Sequence, residues 1–364
     1  MLNDERTANE HIWNSSFDIH ILPCSAHPLP SGKGPGHMRE VELDLGPYAP
    51  YEPTPGVGRW RFDKSLPLTT SGHLRVVALG VGSAFAGANY QSNLIIIKGK
   101  TALFVDLGTL AVLRLRELGV TCNDIEHVLI THSHADHIGS LEELALRRRY
   151  ETPFAAIPQD DGEPWPAYMV RITGARCDGR FRPRLYVPDF YARQLWAMSL
   201  RGGLAFSEEV EIGEPEGGMK LEHFFDVLHP KPLDQSAESW QIDVGPIHVQ
   251  TFVTQHVPDT ANGWNDCMYS VGLVIDQRLF ISGDTRFDLE TVLRFGNTCE
   301  SLWHDCQHFE GGVHAYYGQI KTLPDDLRQR MHLYHLTDQM AQVDVKADGF
   351  AGRLRSAPVV YDFE

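Results

Sequence analysis

Two halves of the chain repeat one pattern, apolar runs of about five residues separated by turns and followed by a stretch of helical spacing. In the first half Leu74–Leu79 reads as a strand closing in Gly80-Val81-Gly82-Ser83-Ala84-Phe85, and Asn93–Lys98 and Thr101–Asp106 read as hairpin strands. Leu110–Leu118 spaces Leu110, Leu113 and Leu118 ahead of Gly119, which predicts a helix. His127–Ile130 predicts a buried strand and Ile138–Arg149 a helix. In the second half Ile247–His256, Tyr269–Ile275 and Leu279–Asp284 predict strands, Asp288–Phe295 a helix, and Ser301–Cys306 and His332–His335 further strands. Strands followed by helix, twice, imply two sheets packed face to face with helices outside.

Outside this pattern the chain reads differently. Residues 1–72 carry Pro28, Pro30, Pro35, Pro47, Pro50, Pro53 and Pro55 with glycines between them, which predicts a loop-rich extension, with one short strand near Phe17–Leu22. Residues 147–241 lack clear periodicity and are rich in Pro, Gly and Arg, an insertion or cap; ten arginines stand against six acids within 147–201. Such a run is usually a solvated face, and its sharper reading is a cap offering Arg forks to phosphate. Residues 341–364 read as a C-terminal tail.

The net charge of −16 works against a long, sequence-independent grip on nucleic acid. The six cysteines form no Cys-x-x-Cys pair, as expected of reduced thiols in a cytoplasmic protein. No window approaches eighteen consecutive apolar residues, so no membrane span is predicted, and the polar N-terminus shows no apolar signal core.

The chemistry concentrates in Thr131-His132-Ser133-His134-Ala135-Asp136-His137. A strand end feeding a short loop lets His132 and His134 point to one side. Asp136 and His137, at the turn into a helix, can face a second point roughly 3.5–4 Å away, the spacing of a two-metal site. Imidazole and carboxylate donors suit zinc, or manganese or iron.

This His-x-His-x-Asp-His run resembles the signature of the metallo-β-lactamase superfamily, and further stations follow in the family's order across about residues 73–340. Asp106, in Leu103-Phe104-Val105-Asp106-Leu107-Gly108, resembles the acidic residue that braces the metal loop. His256 resembles the third histidine of the first metal site, Asp284 the carboxylate bridging both metals, and His335 the last histidine of the second site. The resemblance therefore implies a four-layer αββα sandwich at 73–340. It also implies two divalent ions, Zn2+ above Mn2+ or Fe2+. One would be held by His132, His134 and His256, the other by Asp136, His137 and His335, with Asp284 between them. Such a pair supplies hydroxide from a bridging water at neutral pH.

Ser282-Gly283-Asp284-Thr285-Arg286 resembles the corresponding run of tRNase Z-like phosphodiesterases. His304-Asp305-Cys306 and Gly311-Gly312-Val313-His314 stand where that branch has its later motifs. The implied roles are His314 as general acid, Asp305 as its orienter and Asp136 as the group that orients the nucleophile. Asp305 departs from the usual Glu of tRNase Z, and no convincing tRNA-gripping arm is present. The expectation is a phosphodiesterase acting on a small, plausibly cyclic, nucleotide. A tRNA 3′-processing endoribonuclease is the alternative, and a thioester or lactone hydrolase a further one. Homodimerisation is expected from the resemblance alone, and the substrate-binding residues are left unassigned.

Overall fold

The computed structural model describes residues 38–51, 59–208, 218–233 and 238–364. The expected strand near Phe17–Leu22 lies outside them. Two eight-stranded sheets and one short hairpin carry the described chain. The first sheet runs Met38–Glu42, Val359–Phe363, Leu74–Ala78, Leu94–Lys98, Thr101–Val105, His127–Leu129, Arg184–Tyr186 and Asp226–Leu228. The second runs Lys231–Pro232, Ser239–Val244, Ile247–Val253, Val271–Ile275, Leu279–Ile281, Ser301–Asp305, Met331–Tyr334 and Gly352–Arg353.

Strand alternation builds the layers. Leu74, Val76, Ala78, Leu94, Ile96 and Leu103 of the first sheet meet Ile242, Val244, Val249, Leu273 and Ile275 of the second in one buried cluster. Their sequence neighbours Val77, Ile95, Ile97 and Phe104 point the other way, against Val112, Leu115, Leu141 and Leu144 from helices. On the far face of the second sheet Phe252, Val274 and Phe280 pack with Val292, Ile320 and Leu327. Both faces of these strands are covered, so the sequence shows them as continuous apolar runs. The result is the expected four-layer αββα sandwich.

Several boundaries differ from the sequence reading. Met38–Glu42 and Val359–Phe363, expected in an extension and a tail, pair antiparallel, and the latter also pairs with Leu74–Ala78. The stretch 341–364 is thus no tail, because Val359, Val360, Tyr361 and Phe363 are each at most 2% exposed. Arg184–Tyr186 and Asp226–Leu228, within 147–241, continue the first sheet in parallel. Most arginines of that stretch are occupied locally. Arg147 pairs with Glu143 and Glu151, Arg149 with Glu208, Arg171 with Glu163, Arg180 with Asp178 and Arg193 with Asp189. Arg148 donates to the carbonyls of Phe181 and Asn123. These are self-satisfied forks, and none of the pairs reaches the residues of the metal motif. The expected helix Ile138–Arg149 instead begins as a short turn, Ala135–Ile138, and resumes at Leu141–Leu146. The break falls where the Ser140 amide bonds the Leu107 carbonyl outside the helix.

One cross-strand pair ties the C-terminal strand in place. Asp362 lies opposite Arg75 and accepts from its Nε at 2.6 Å and from its Nη2 at 2.8 Å. Burial pushes the Asp362 carboxyl up, but the Arg75 hydrogen bonds and charge outweigh it and hold it below the usual carboxylate value. A depressed carboxylate pKa stabilises the fold above its unfolded value, and that contribution is lost as pH falls through the folded one. Arg75→Ala, which strands a buried carboxylate, is expected to cost about 3–5 kcal/mol in denaturant unfolding. Asp362→Asn is expected to flatten the acid limb of a melting-temperature against pH curve.

Candidate metal centre

Six residues of the expected cluster sit at or just beyond the carboxyl end of a strand, while Asp136 and His137 lie in the helical turn Ala135–Ile138 that His134 precedes. Asp106 follows Thr101–Val105, His132 follows His127–Leu129, and His256 follows Ile247–Val253. Asp284 follows Leu279–Ile281, Asp305 ends Ser301–Asp305, and His335 follows Met331–Tyr334. Thr101–Val105 runs parallel to His127–Leu129, and Leu279–Ile281, Ser301–Asp305 and Met331–Tyr334 run parallel to one another. Their carboxyl ends therefore gather at common edges. Asp106 and His335 hold left-handed backbone angles, φ +65° and +55°. Non-glycine residues adopt such angles at a cost that the surrounding structure must offset, and such strain clusters at functional sites.

Two donor sets share Asp284, His132, His134 and His256 on one side and Asp136, His137 and His335 on the other, and Asp305 and His314 form a third group with Asp284 and His335. On the first side His134 Nδ1 lies 3.0 Å from His132 Nε2 and 3.1 Å from His256 Nε2. Asp284 Oδ2 is 3.7 and 3.8 Å from those two Nε2 atoms. On the second side Asp284 Oδ2 is 3.3 Å from both His137 Nε2 and His335 Nε2, and Asp136 Oδ2 is also 3.3 Å from each. Donors about 2.1 Å from one ion in tetrahedral array stand about 3.4 Å apart, so these separations match edges of a coordination shell.

The electrostatics also fit a cation. His137 Nε2, Asp284 Oδ2 and His335 Nδ1 are buried without a well-aligned hydrogen-bond partner, an arrangement that is costly unless something positive or polar enters. Burial holds the imidazoles of His132 and His134 below their usual pKa and pushes that of His256 down to about 4. All three are thus in the neutral form that binds metal. Burial pushes the Asp284 carboxyl up, but His335 and His137 beside it hold it well below the usual range, and hence ionised.

Outer partners aim the rings. His137 Nδ1 donates to Asp106 Oδ2 at 2.7 Å and His256 Nδ1 to the Val313 carbonyl at 2.9 Å, which turns both Nε2 lone pairs inward. Asp106 is itself fixed by the Thr131 amide and hydroxyl.

His314 Nδ1 lies 2.9 Å from Asp305 Oδ2, the second oxygen of a fully buried carboxylate that also accepts from the Thr285 amide. The His314 ring stands 4.9 Å from that of His256 and 4.6 Å from that of His335, between the two donor sets. The segment carrying it turns at Gly311 and Gly312, both with φ above +80°, which residues with a Cβ rarely adopt. Burial alone would lower the His314 pKa, but the Asp305 hydrogen bond and the Asp284 and Asp136 charges raise it. His304 Nδ1 donates to the Asp305 carbonyl at 2.9 Å and lies 3.3 Å from Asp305 Oδ1, while His308 turns to Thr337. His332 lies outside every donor set, as strand alternation predicts.

Sequence reasoning missed the supporting residues. Thr131, Val313, Asn93 and Ser282, whose Oγ accepts from the Asp305 amide, are common residue types acting partly through backbone atoms. The only local signal was Thr131 and Ser282 standing inside the two motifs.

Comparisons with known proteins give the family and the fold. The sequence profile of the family described as "Anti-Pycsar protein Apyc1" matches residues 74–157 and 171–359. The chain belongs to this family. Its relatives include the Apyc1 of Paenibacillus xerothermodurans, 31% identical over 74% of this chain and 90% of that one. The Apyc1 of Bacillus phage BSP38 is 30% identical over 77% and 93%. Among solved structures, the metallo-β-lactamase fold protein YhfI from Bacillus subtilis superposes with a TM-score of 0.54 at 13% identity, covering 80% of this chain and 99% of that one. A diphosphatase of the PhnP family superposes at 0.52, also at 13% identity, over 80% and 98%. Both confirm the metallo-β-lactamase fold of this family member. A metal-dependent hydrolase is the coarse reading that fold, family and donor set together support. Among the described residues, no helix is long and apolar enough to cross a membrane.

Proposed function

We propose that this Apyc1 family member is a dinuclear metal-dependent phosphodiesterase that opens a small, cyclic nucleotide, and that it shares the anti-Pycsar role for which its relatives are named. The observation that carries the reading is the His314–Asp305 pair standing between two donor sets that share Asp284. Bound divalent ions at those donor sets would lower the pKa of a water and stabilise charge on the attacking and leaving oxygens.

The protein's own groups supply the rest. Asp305 holds the Nδ1 proton of His314 and so presents Nε2 toward the centre as the proton donor to the departing ester oxygen. The Thr285 amide and the Ser282 hydroxyl fix Asp305, so the donor is set before substrate arrives. Asp136, whose Oδ2 lies 3.3 Å from the Nε2 atoms of His137 and His335 in the second donor set, would orient the nucleophile. The small-substrate choice is supported by the local pairing of the 147–201 arginines and by the net charge of −16, which leave little to neutralise a polymer's phosphates.

The test offers 3′,5′-cyclic mononucleotides, cyclic dinucleotides and a 3′-extended tRNA in parallel to zinc- or manganese-loaded protein, with Asp136→Asn as control. Conversion of a cyclic nucleotide to its linear monophosphate, abolished by the substitution, is expected. Cleavage of the tRNA alone would replace this reading with RNA processing. A companion prediction concerns the arginines. Arg171→Ala, Arg180→Ala and Arg193→Ala together are expected to leave KM for the cyclic nucleotide within about 2-fold, because these exposed pairs contribute little even to the fold.

A further inference from the structure

We propose that Asn93 is a positioning residue for one half of the metal centre, the Asp136–His137 side. The inference rests on the two-ion reading above. Asn93 is 1% exposed and lies just before the strand Leu94–Lys98. Its Nδ2 donates to the Asp136 carbonyl at 2.9 Å, and its Oδ1 accepts from the Gly108 amide at 2.6 Å. The reverse amide orientation would set donor against donor and acceptor against acceptor, so only this one is satisfied.

The clamp is needed because the helix there is too short to satisfy itself. In a continued helix the Asp136 carbonyl would accept from the Ser140 amide. That amide is instead given to the Leu107 carbonyl, and the helical turn ends at Ile138. The Asp136 carbonyl would be left buried without a partner, and Asn93 provides one. The position of Gly108 agrees. A Cβ there would lie 1.8 Å from the Asp136 carbonyl oxygen, so the chain at 108 passes as close as a glycine permits.

What the clamp fixes is the peptide plane joining Asp136 to His137. That plane sets the direction of both side chains, which are consecutive donors to the same ion. His132 is steadied by Thr131 instead, and His134 meets that plane only through its carbonyl, which accepts from the His137 amide at 3.0 Å, and not through its ring. The effect of losing Asn93 therefore falls on one ion of the two.

The test is zinc affinity, measured by competition with a chromogenic chelator, independently of turnover. In a His134→Ala background only the Asp136 side keeps its full donor set, and in a His335→Ala background only the His134 side does. Asn93→Ala is expected to weaken Zn2+ binding about 10–100-fold in the first background and to leave it unchanged in the second. Asn93→Asp is a second variant, in case the alanine protein folds poorly. It keeps the acceptor for the Gly108 amide but sets an oxygen against the Asp136 carbonyl, and the same one-sided weakening is expected. Equal weakening in both backgrounds would assign Asn93 a general structural role and overturn the proposal, as would no weakening in either. An otherwise unaltered protein that binds no Zn2+ would overturn the two-ion reading itself, a result distinct from both.

Discussion

His314→Ala is expected to lower kcat for a cyclic nucleotide by about 10²–10⁴-fold, the usual contribution of a positioned general acid. The loss depends on the leaving group. Opening a cyclic nucleotide expels a sugar alkoxide, a poor leaving group that needs a proton as the P–O bond breaks. A nitrophenyl phosphodiester expels a phenolate that needs none, so the same variant should keep most of its activity on that substrate. The Nδ1 bond of His314 to Asp305 makes a companion prediction. Asp305→Asn keeps the shape but changes what the ring nitrogen faces, and it should lower kcat on the cyclic substrate while sparing the activated one. Equal losses on both substrates would mean that His314 acts on binding or on the fold.

Asp284→Ala is expected to have the largest effect of any single substitution, because both donor sets depend on that residue. Its Oδ2 lies within 3.8 Å of four histidine nitrogens, from His132, His256, His137 and His335. Removing it leaves each set with three imidazole or carboxylate donors and no negative charge between the ions. If each ion contributes several kcal/mol to charge stabilisation, loss of both is worth roughly 10⁴-fold or more in kcat. Metal analysis by inductively coupled plasma separates this from a local chemical role. The variant should carry less than one equivalent of zinc after dialysis, and a retained pair of ions would contradict the shared-carboxylate account.

The candidate donors stood out in the sequence because they are chemically distinctive side chains, most of them in or just after an apolar run. A His or Asp closing Leu279–Ile281 or Met331–Tyr334 has no packing reason to be there. His314 was legible only through Gly311-Gly312 and its order after Asp305. The outer residues were hidden because they act through features that composition does not mark. Val313 supplies a carbonyl, and Asn93 is one buried amide among many polar residues. The layers were legible from the apolar runs, but strand partnership was not. Val359–Phe363 reads like any apolar segment, and only pairing with Leu74–Ala78 reveals it as an inner strand. The arginines of 147–201 show the same limit. A local basic excess offers a phosphate grip as its sharper reading, and it is the pairing of forks such as Arg147, Arg149, Arg171 and Arg180 with nearby carboxylates that favours the solvated face.

The central claim is that Asp284 stands between two ions with His314 beside them. Anomalous diffraction from crystals of zinc-loaded protein tests it most directly. Two anomalous peaks roughly 3.5–4 Å apart are expected, one among His132, His134 and His256 and the other among Asp136, His137 and His335, flanking the Asp284 carboxylate. A single peak confined to one donor set, or a pair elsewhere in the fold, would contradict the account.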